Sequence, residues 1–352
     1  MDRRVRPSRE NLARRVRGFF RSSATTDVLL LAVLIVVFVG VVGHLEPAWF
    51  SWRTLQTAMS ENSPLAIVAV AMTFSIISGN IDLSPGAMIA LTGVIVGLVF
   101  ERDGNLALSF VAGFGLAIAV GFAHAVLVAK LRINAIIITL AAYIWARGMA
   151  IGLTGANPIN INTSFINTMN TFSFAGITIP IALAIVAYIL GWFLLRRTRM
   201  GRYTFAMGQD ARATERAGIS ILNQNLLIFG FMGFMIAVGT VITISQVGGA
   251  QPLEQQGFEL DAIIAVIIGG SKLTGGEGSM LQSLMGVAFV TAVNSGLGNV
   301  GLTDAGYAFA KGCIILGALT LQVFVHRLVA RRIQSAQVPR TTITRAPTVA
   351  TE

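Results

Sequence analysis

Ten apolar runs separated by short polar connections constrain this 352-residue chain more than any other feature. A helix needs about 20 mainly apolar residues to cross a ~30 Å hydrocarbon core. The runs fall at 27–44, 62–79, 85–100, 106–129, 134–153, 177–195, 224–246, 258–269, 279–297 and 305–326. They predict an all-α polytopic membrane bundle of about ten transmembrane segments. The runs at 85–100 and 258–269 are short, so tilted, broken or partly re-entrant helices are expected there. Such irregular backbone is tolerated at membrane depth only under protein cover. The first run follows a basic stretch, as a signal peptide would, but Glu46-Pro47-Ala48-Trp49 makes a poor cleavage site. It reads as an uncleaved first helix.

Charge supports the same class. Only 12% of residues are charged, about half of the ~25% usual in soluble domains, which excludes a water-soluble enzyme and a disordered scaffold. The single cysteine, Cys313, excludes a disulfide framework and a cysteine metal site. The net charge of +10 is concentrated in eight arginines between Arg3 and Arg21 and six between Arg196 and Arg216. Both clusters abut apolar runs and lack interleaved aromatics, so no nucleic-acid surface is indicated. They read as cytoplasmic flanks under the positive-inside rule. With the N-terminus inside, 22 of the 26 Lys and Arg fall on inner segments and two, Arg53 and Arg102, on outer ones. Both termini are then cytoplasmic. The parse gives a basic tail at 1–26, a transmembrane domain at 27–326 with an inner connection at 196–223, and a C-terminal tail at 327–352.

Catalytic, cofactor and metal sets are missing from the pattern. There is no P-loop, because in GGSKLTGGEGS (Gly269 to Ser279) the lysine follows the first glycines rather than the last. There is no HExxH pair, and His44, His124 and His326 are scattered. Uphill transport would draw its energy from another subunit or an ion gradient. SGNIDLSPGA (Ser78 to Ala87) interrupts two runs with helix breakers and hydrogen-bonding groups. Discontinuous helices meeting at polar residues build transport pathways; an ordinary turn with Asp82 capping the next helix would look the same. FELDAIIAVIIGGSKLTGGEGS (Phe258 to Ser279) again sets acids and a glycine break around a short apolar stretch. The spacings Gly86–Gly93 and Gly278–Gly286 after the two breaks suggest a weak internal repeat. Pathway or gate candidates are Asn80, Asp82, Ser84, His124, Tyr143, Asp261 and Asn294. Arg147 and Lys311 lie within runs, each preceded four residues earlier by a tyrosine, Tyr143 and Tyr307. A cation there is expensive and either snorkels to the interface or finds a partner inside the bundle. The inner connection RRTRMGRYTFAMGQDARATERAGIS (Arg196 to Ser220) contains helix formers from Asp210 to Ala217 and a stop at Gly218. A short amphipathic cytoplasmic helix has no role in lipid and suits a soluble partner.

Together SGNIDLSPGA, GQDARATERAGIS and FELDAIIAVIIGGSKLTGGEGS, with NPININ (Asn157 to Asn162), resemble the membrane permease subunit of bacterial ABC importers for monosaccharides, the ribose, xylose, galactose and galactofuranose group. The resemblance runs from about Ser60 to Phe324. It implies an inner-membrane subunit that pairs with a second, identical or related permease chain. It also implies a periplasmic sugar-binding protein outside and an ATPase inside, coupled through Gly208, Asp210, Glu215, Arg216 and Gly218. The match departs at Asn80, Pro85 and His124, where the family has Gly, a small aliphatic residue and Asn. Those positions bear on which sugar is carried more than on the transporter class. The alternatives are an ion-gradient-driven secondary transporter and an ABC permease for an amino acid.

Overall fold

The computed structural model describes residues 23–46, 49 and 51–337. The basic residues before Ser23 and after Gln337, which carry much of the inside charge, lie outside the described residues. Among the described residues there are fourteen helices and four two-residue strands. In chain order the helices are α1 (Ser23–Leu45), α2 (Trp52–Glu61), α3 (Ser63–Ile77), α4 (Pro85–Asp103), α5 (Leu106–Lys130), α6 (Ala135–Thr154), α7 (Ser164–Thr171), α8 (Ile179–Arg197), α9 (Arg199–Gln209), α10 (Ala211–Arg216), α11 (Ile221–Val247), α12 (Phe258–Ile268), α13 (Met280–Asn299) and α14 (Asp304–Gln337).

Each of the ten apolar runs carries a helix. Eight of them, α1, α4, α5, α6, α8, α11, α13 and α14, are long and apolar enough to cross a membrane, and α2 with α3 makes a ninth candidate bent by 49°. Of the tilted, broken or re-entrant forms open to the 85–100 run, the structure shows no break: α4 is one helix of 19 residues. Glu101, Arg102 and Asp103 in its last turn end the apolar signal before the helix ends. The 258–269 run is short in the structure too: the 11 residues of α12 rise only about 16 Å, half a crossing. α14 continues past 326, so the boundary drawn there falls inside a helix.

Burial divides the bundle into a centre and a rim. The apolar windows of α11, α4 and α13 are 72%, 67% and 61% buried, against 17% for α1 and α14. All of α3 is buried, which explains its lack of a polar face: a helix that is hydrophobic all round has protein or lipid on every side. Small residues set how closely the central helices approach. A Cβ on Gly121 of α5 would overlap the Phe229 carbonyl, and one on Gly233 of α11 would overlap that of Ala117. The α5 and α11 backbones therefore pack directly on each other.

The uncharged segment from Thr154 to Gly176 is ordered. Strand β1 (Ile159–Asn160) pairs antiparallel with β4 (Gly249–Ala250), and β2 (Ser173–Phe174) pairs with β3 (Ile177–Thr178). Ile161 and Ile166 are buried with Val96 and Ile244, so this segment caps one end of α4 and α11. The opposite end, marked by Arg196 and Arg199, is the basic end.

Candidate functional site

The three motif segments, far apart in sequence, converge at the basic end. Gly276 N–H donates to the Ile77 carbonyl at 2.8 Å. A Cβ on Gly208 would overlap that same carbonyl and would sit 2.5 Å from Gly276 N. Gly275, at φ +84°, lies against Gly79 and the Gly208 carbonyl. The end of α3, the end of α9 and the loop after α12 therefore meet with their backbones in close approach. Gly208, half-buried, is wedged between Ile77 and Gly276.

Beyond that wedge the connection turns outward. Asp210 ends α9 and caps α10, accepting from Ala213 N–H at 2.9 Å. Gly218 follows at φ +86°, as a helix stop requires. Asp210, Glu215 and Arg216 are exposed, while Thr214 is buried beneath them. Gln224 of α11 ties the segment down, donating to the Met200 carbonyl at 2.9 Å and to Thr204 Oγ1 at 2.8 Å.

The SGNIDLSPGA break lies beside it. Asn80 donates to Ser78 Oγ at 3.0 Å and to Asn225 Oδ1 of α11 at 3.1 Å. Asp82 accepts from Ser84 N–H at 2.8 Å and from Ser84 Oγ–H at 2.6 Å, so it shapes the turn into α4. Thr139 of α6 staples the break from the side, accepting from Leu83 N–H at 3.0 Å. Asp82, Ser84 and His124 border a cavity of about 10 Å³, roughly the space of one water. His124 is buried with its ring edge-on to Phe229, centroids 6.0 Å apart. These groups leave almost no free space between the turn before α4 and helices α5 and α11. Tyr143 packs half-buried against the main apolar core.

Asp261 and Asn294 form a separate cluster. Lys311 Nζ donates to Asp261 Oδ2 at 2.7 Å, and the pair keeps only 19% and 15% side-chain exposure. Asn294 donates to Asp261 Oδ2 at 3.3 Å and to Asn62 Oδ1 at 3.2 Å, and its carbonyl accepts from Tyr307 O–H at 3.2 Å. Lys311 therefore has an internal partner and does not snorkel. Arg147 is likewise engaged inside the protein. Its Nη1 donates to the carbonyls of Pro252 and Glu254, each at 2.8 Å. Its Nε and Nη2, and Oε2 of nearby Glu259, are buried without a hydrogen-bond partner. Glu259 lies against Gly86 at the start of α4, where a Cβ would overlap Oε2, so the N-termini of α4 and α12 meet around this carboxylate.

The candidates thus divide among a backbone wedge (Gly208), an exposed helix (Asp210, Glu215, Arg216, Gly218), a tightly packed group (Asp82, Ser84, His124, with Asn80 beside it) and a polar cluster (Asp261, Asn294). Sequence reasoning missed Thr139, Asn62 and the pairing of Lys311 with Asp261. The intramembrane cation was the signal for the last, but no spacing rule names a partner 50 residues away.

Residues 54–321 match the family described as the branched-chain amino acid transport system / permease component. The chain belongs to this family. The ribose import permease of Escherichia coli (strain K12) is 31% identical over 293 residues, covering 82% of this chain and 91% of that protein. The fructose import permease of Rhizobium meliloti is 29% identical over 333 residues, 91% of each chain. The galactofuranose transporter permease of Escherichia coli (strain K12) is 29% identical over 266 residues, 75% of this chain and 78% of that one. No solved structure matches. The protein is accordingly a transport component, not an enzyme. In this permease the segment at 196–223 packs against the end of α3 and the loop after α12.

Proposed function

We propose that this permease forms the inner-membrane translocation pathway of an ATP-binding-cassette importer for a monosaccharide or a related small polar solute. The observation that carries the reading is the wedge of Gly208 between Ile77 and Gly276. A force applied to the exposed face of α9 and α10 is passed through this close backbone contact to the end of α3 and the loop after α12. Asp210, Glu215 and Arg216 present that face to a cytoplasmic ATPase, which supplies the energy that the chain's own residues do not. The basic end then faces the cytoplasm with both termini, and a periplasmic sugar-binding protein docks at the opposite end. A second permease chain, a copy or a paralogue, completes the assembly. No metal or cofactor enters the scheme.

The sugar relatives favour a sugar cargo, although the family description names amino acids. A secondary transporter would need an ion cage near the bilayer midplane, and Asp261 is already committed to Lys311. The decisive experiment reconstitutes the chain in vesicles with and without an ABC ATPase and a periplasmic sugar-binding protein. ATP-dependent uptake of a sugar is expected. Uptake driven by an imposed proton or sodium gradient with no ATPase present would overturn the reading.

A further inference from the structure

A groove of about 790 Å³ runs between α1, α2, α8 and α13, lined by Ile35, Leu55, Met59, Ile185, Leu284 and Val287. Helices α1, α8 and α13 are each long and apolar enough to cross a membrane, so the groove lies at membrane depth. It is open to the side, because Leu55, Met59, Ile185 and Leu284 are exposed on its walls. Trp49 and Trp52 stand in the same lining, and indole rings favour the membrane–water interface. One end of the groove therefore sits at the level of the lipid headgroups. An empty apolar groove forfeits the dispersion contacts of its walls, and the fluid beside this one is acyl chain.

A polar cavity of about 440 Å³ follows the groove toward the end remote from the glycine wedge, bordered by Arg53, Thr57, Glu61, Ser295 and Asn299. Along α13 the groove touches residues from Leu284 to Ala292 and the cavity residues from Asn294 to Asn299. Their centres are about eight residues apart, roughly 12 Å along the helix axis. Thr54 borders both spaces, and Trp49 Nε1 on the groove side donates to Ser295 Oγ on the cavity side at 3.3 Å. Arg53 and Glu61 are exposed, and neither is in an ion pair among the described residues. A molecule that suits both spaces has an apolar body and, beyond it, an anion and a cation. A glycerophospholipid with an ammonium headgroup has its groups in that order. An apolar helix from a second permease would fill the groove and leave Arg53 and Glu61 unmet. An anionic phospholipid would meet Arg53 and be opposed by Glu61.

We propose that the groove between α1, α2, α8 and α13 binds a phosphatidylethanolamine-type lipid from the leaflet remote from the basic end. Its acyl chains lie in the groove, its phosphate at Arg53 and its ammonium at Glu61. The site does not depend on the importer reading.

The test uses the full-length permease in vesicles of equal parts phosphatidylethanolamine and phosphatidylglycerol, with a trace of one or the other carrying a photoreactive diazirine on its acyl chain. After illumination, the crosslinked peptides are mapped by mass spectrometry. With the phosphatidylethanolamine probe, crosslinks at 35–39, 55–59, 185–189 and 284–292 should dominate over those on the rim helices α5 and α14. The phosphatidylglycerol probe should label the groove about fivefold less, the discrimination that an exposed charge supplies. In Glu61→Gln that gap should close to within about twofold. In Arg53→Gln groove labelling by both probes should fall about fivefold, with the rim unchanged. Both side chains are exposed, so neither substitution disturbs the core. Equal labelling of groove and rim would mean surrounding lipid only and would overturn the site. Equal use of the two probes by the unmodified chain, or no response to either substitution, would overturn the headgroup assignment. A groove closed to both probes would overturn the whole proposal, and permease–permease crosslinks there would give it to a second copy instead.

Discussion

At the basic end of the permease, backbone meets backbone: Gly208, Ile77, Gly276 and Gly79 touch with no room for a methyl group on Gly208. At the opposite end, Asn62, Glu61, Gln255 and Asn294 border cavities of about 440 and 100 Å³. The first region suits transmission, because close-packed groups carry displacement with little loss. The second suits a passing solute, because polar side chains around free space can exchange hydrogen bonds with it. The space beside Asp82 and His124 is far smaller, about 10 Å³. The difference teaches that the costly polar residues are spent where contact must change, and glycines where contact must not.

The largest effect should come from breaking the Asp261–Lys311 ion pair near these cavities. Asp261→Asn or Lys311→Met alone should cost about 3 kcal/mol, the low end for opening a buried pair. The double variant Asp261→Asn/Lys311→Met should recover most of it, as read by thermal unfolding of the purified protein in detergent. Equal stability of both single variants and the parent would show that the pair holds nothing in place. The wedge comes next. Gly208→Ala should cost about 1–3 kcal/mol by overpacking against Ile77, and it should uncouple ATP hydrolysis from uptake in the reconstituted complex. Gly218→Ala, where nothing lies within 4 Å, should cost only the about 1–2 kcal/mol of a left-handed alanine and leave coupling intact. If the two alanines behaved alike, the contrast between a wedge and a simple turn would collapse.

A smaller effect is expected at Asp82. Asp82→Asn keeps an acceptor for Ser84 but weakens the charge-assisted bonds, costing about 1 kcal/mol. Transport should fall further than folded yield does, measured side by side in the same membranes; equal losses would reduce Asp82 to a turn-former. The smallest effect on stability belongs to the exposed helix. Exchanging the charges at Glu215 and Arg216 should shift unfolding by no more than about 0.5 kcal/mol, yet impair ATPase assembly in a pull-down of the complex. Undiminished assembly and coupled uptake would move the contact elsewhere.

Much of the candidate site is visible in the sequence residue by residue but not as groupings. Asp210 and Gly218 are readable because capping and chain reversal are local: the bond from Ala213 to Asp210 spans three residues. Asp82 is readable as polar and important, and the structure adds its bonds to Ser84. Lys311 and Arg147 are readable only as expense. Which group compensates each is a question of where α12 and the 252–254 carbonyls come to lie, and helical period says nothing about that. The resemblance assigns Gly208 to the coupling segment, and only the structure shows that it is packed against Ile77 and Gly276.

Hydrophobic patterning by itself determined the helical bundle, the number of apolar segments and the shortness of α12, because a lipid-facing or buried helix must satisfy its backbone within about one stretch of chain. The charge pattern determined which connections group on one side. Only the tertiary structure decided that the three motifs close on Gly208, that Lys311 pairs with Asp261, and that polar-lined cavities open at the bend before Ser63. Those features depend on contacts between residues 50 to more than 200 positions apart, and an energy shared across such distances leaves no periodic trace in the sequence.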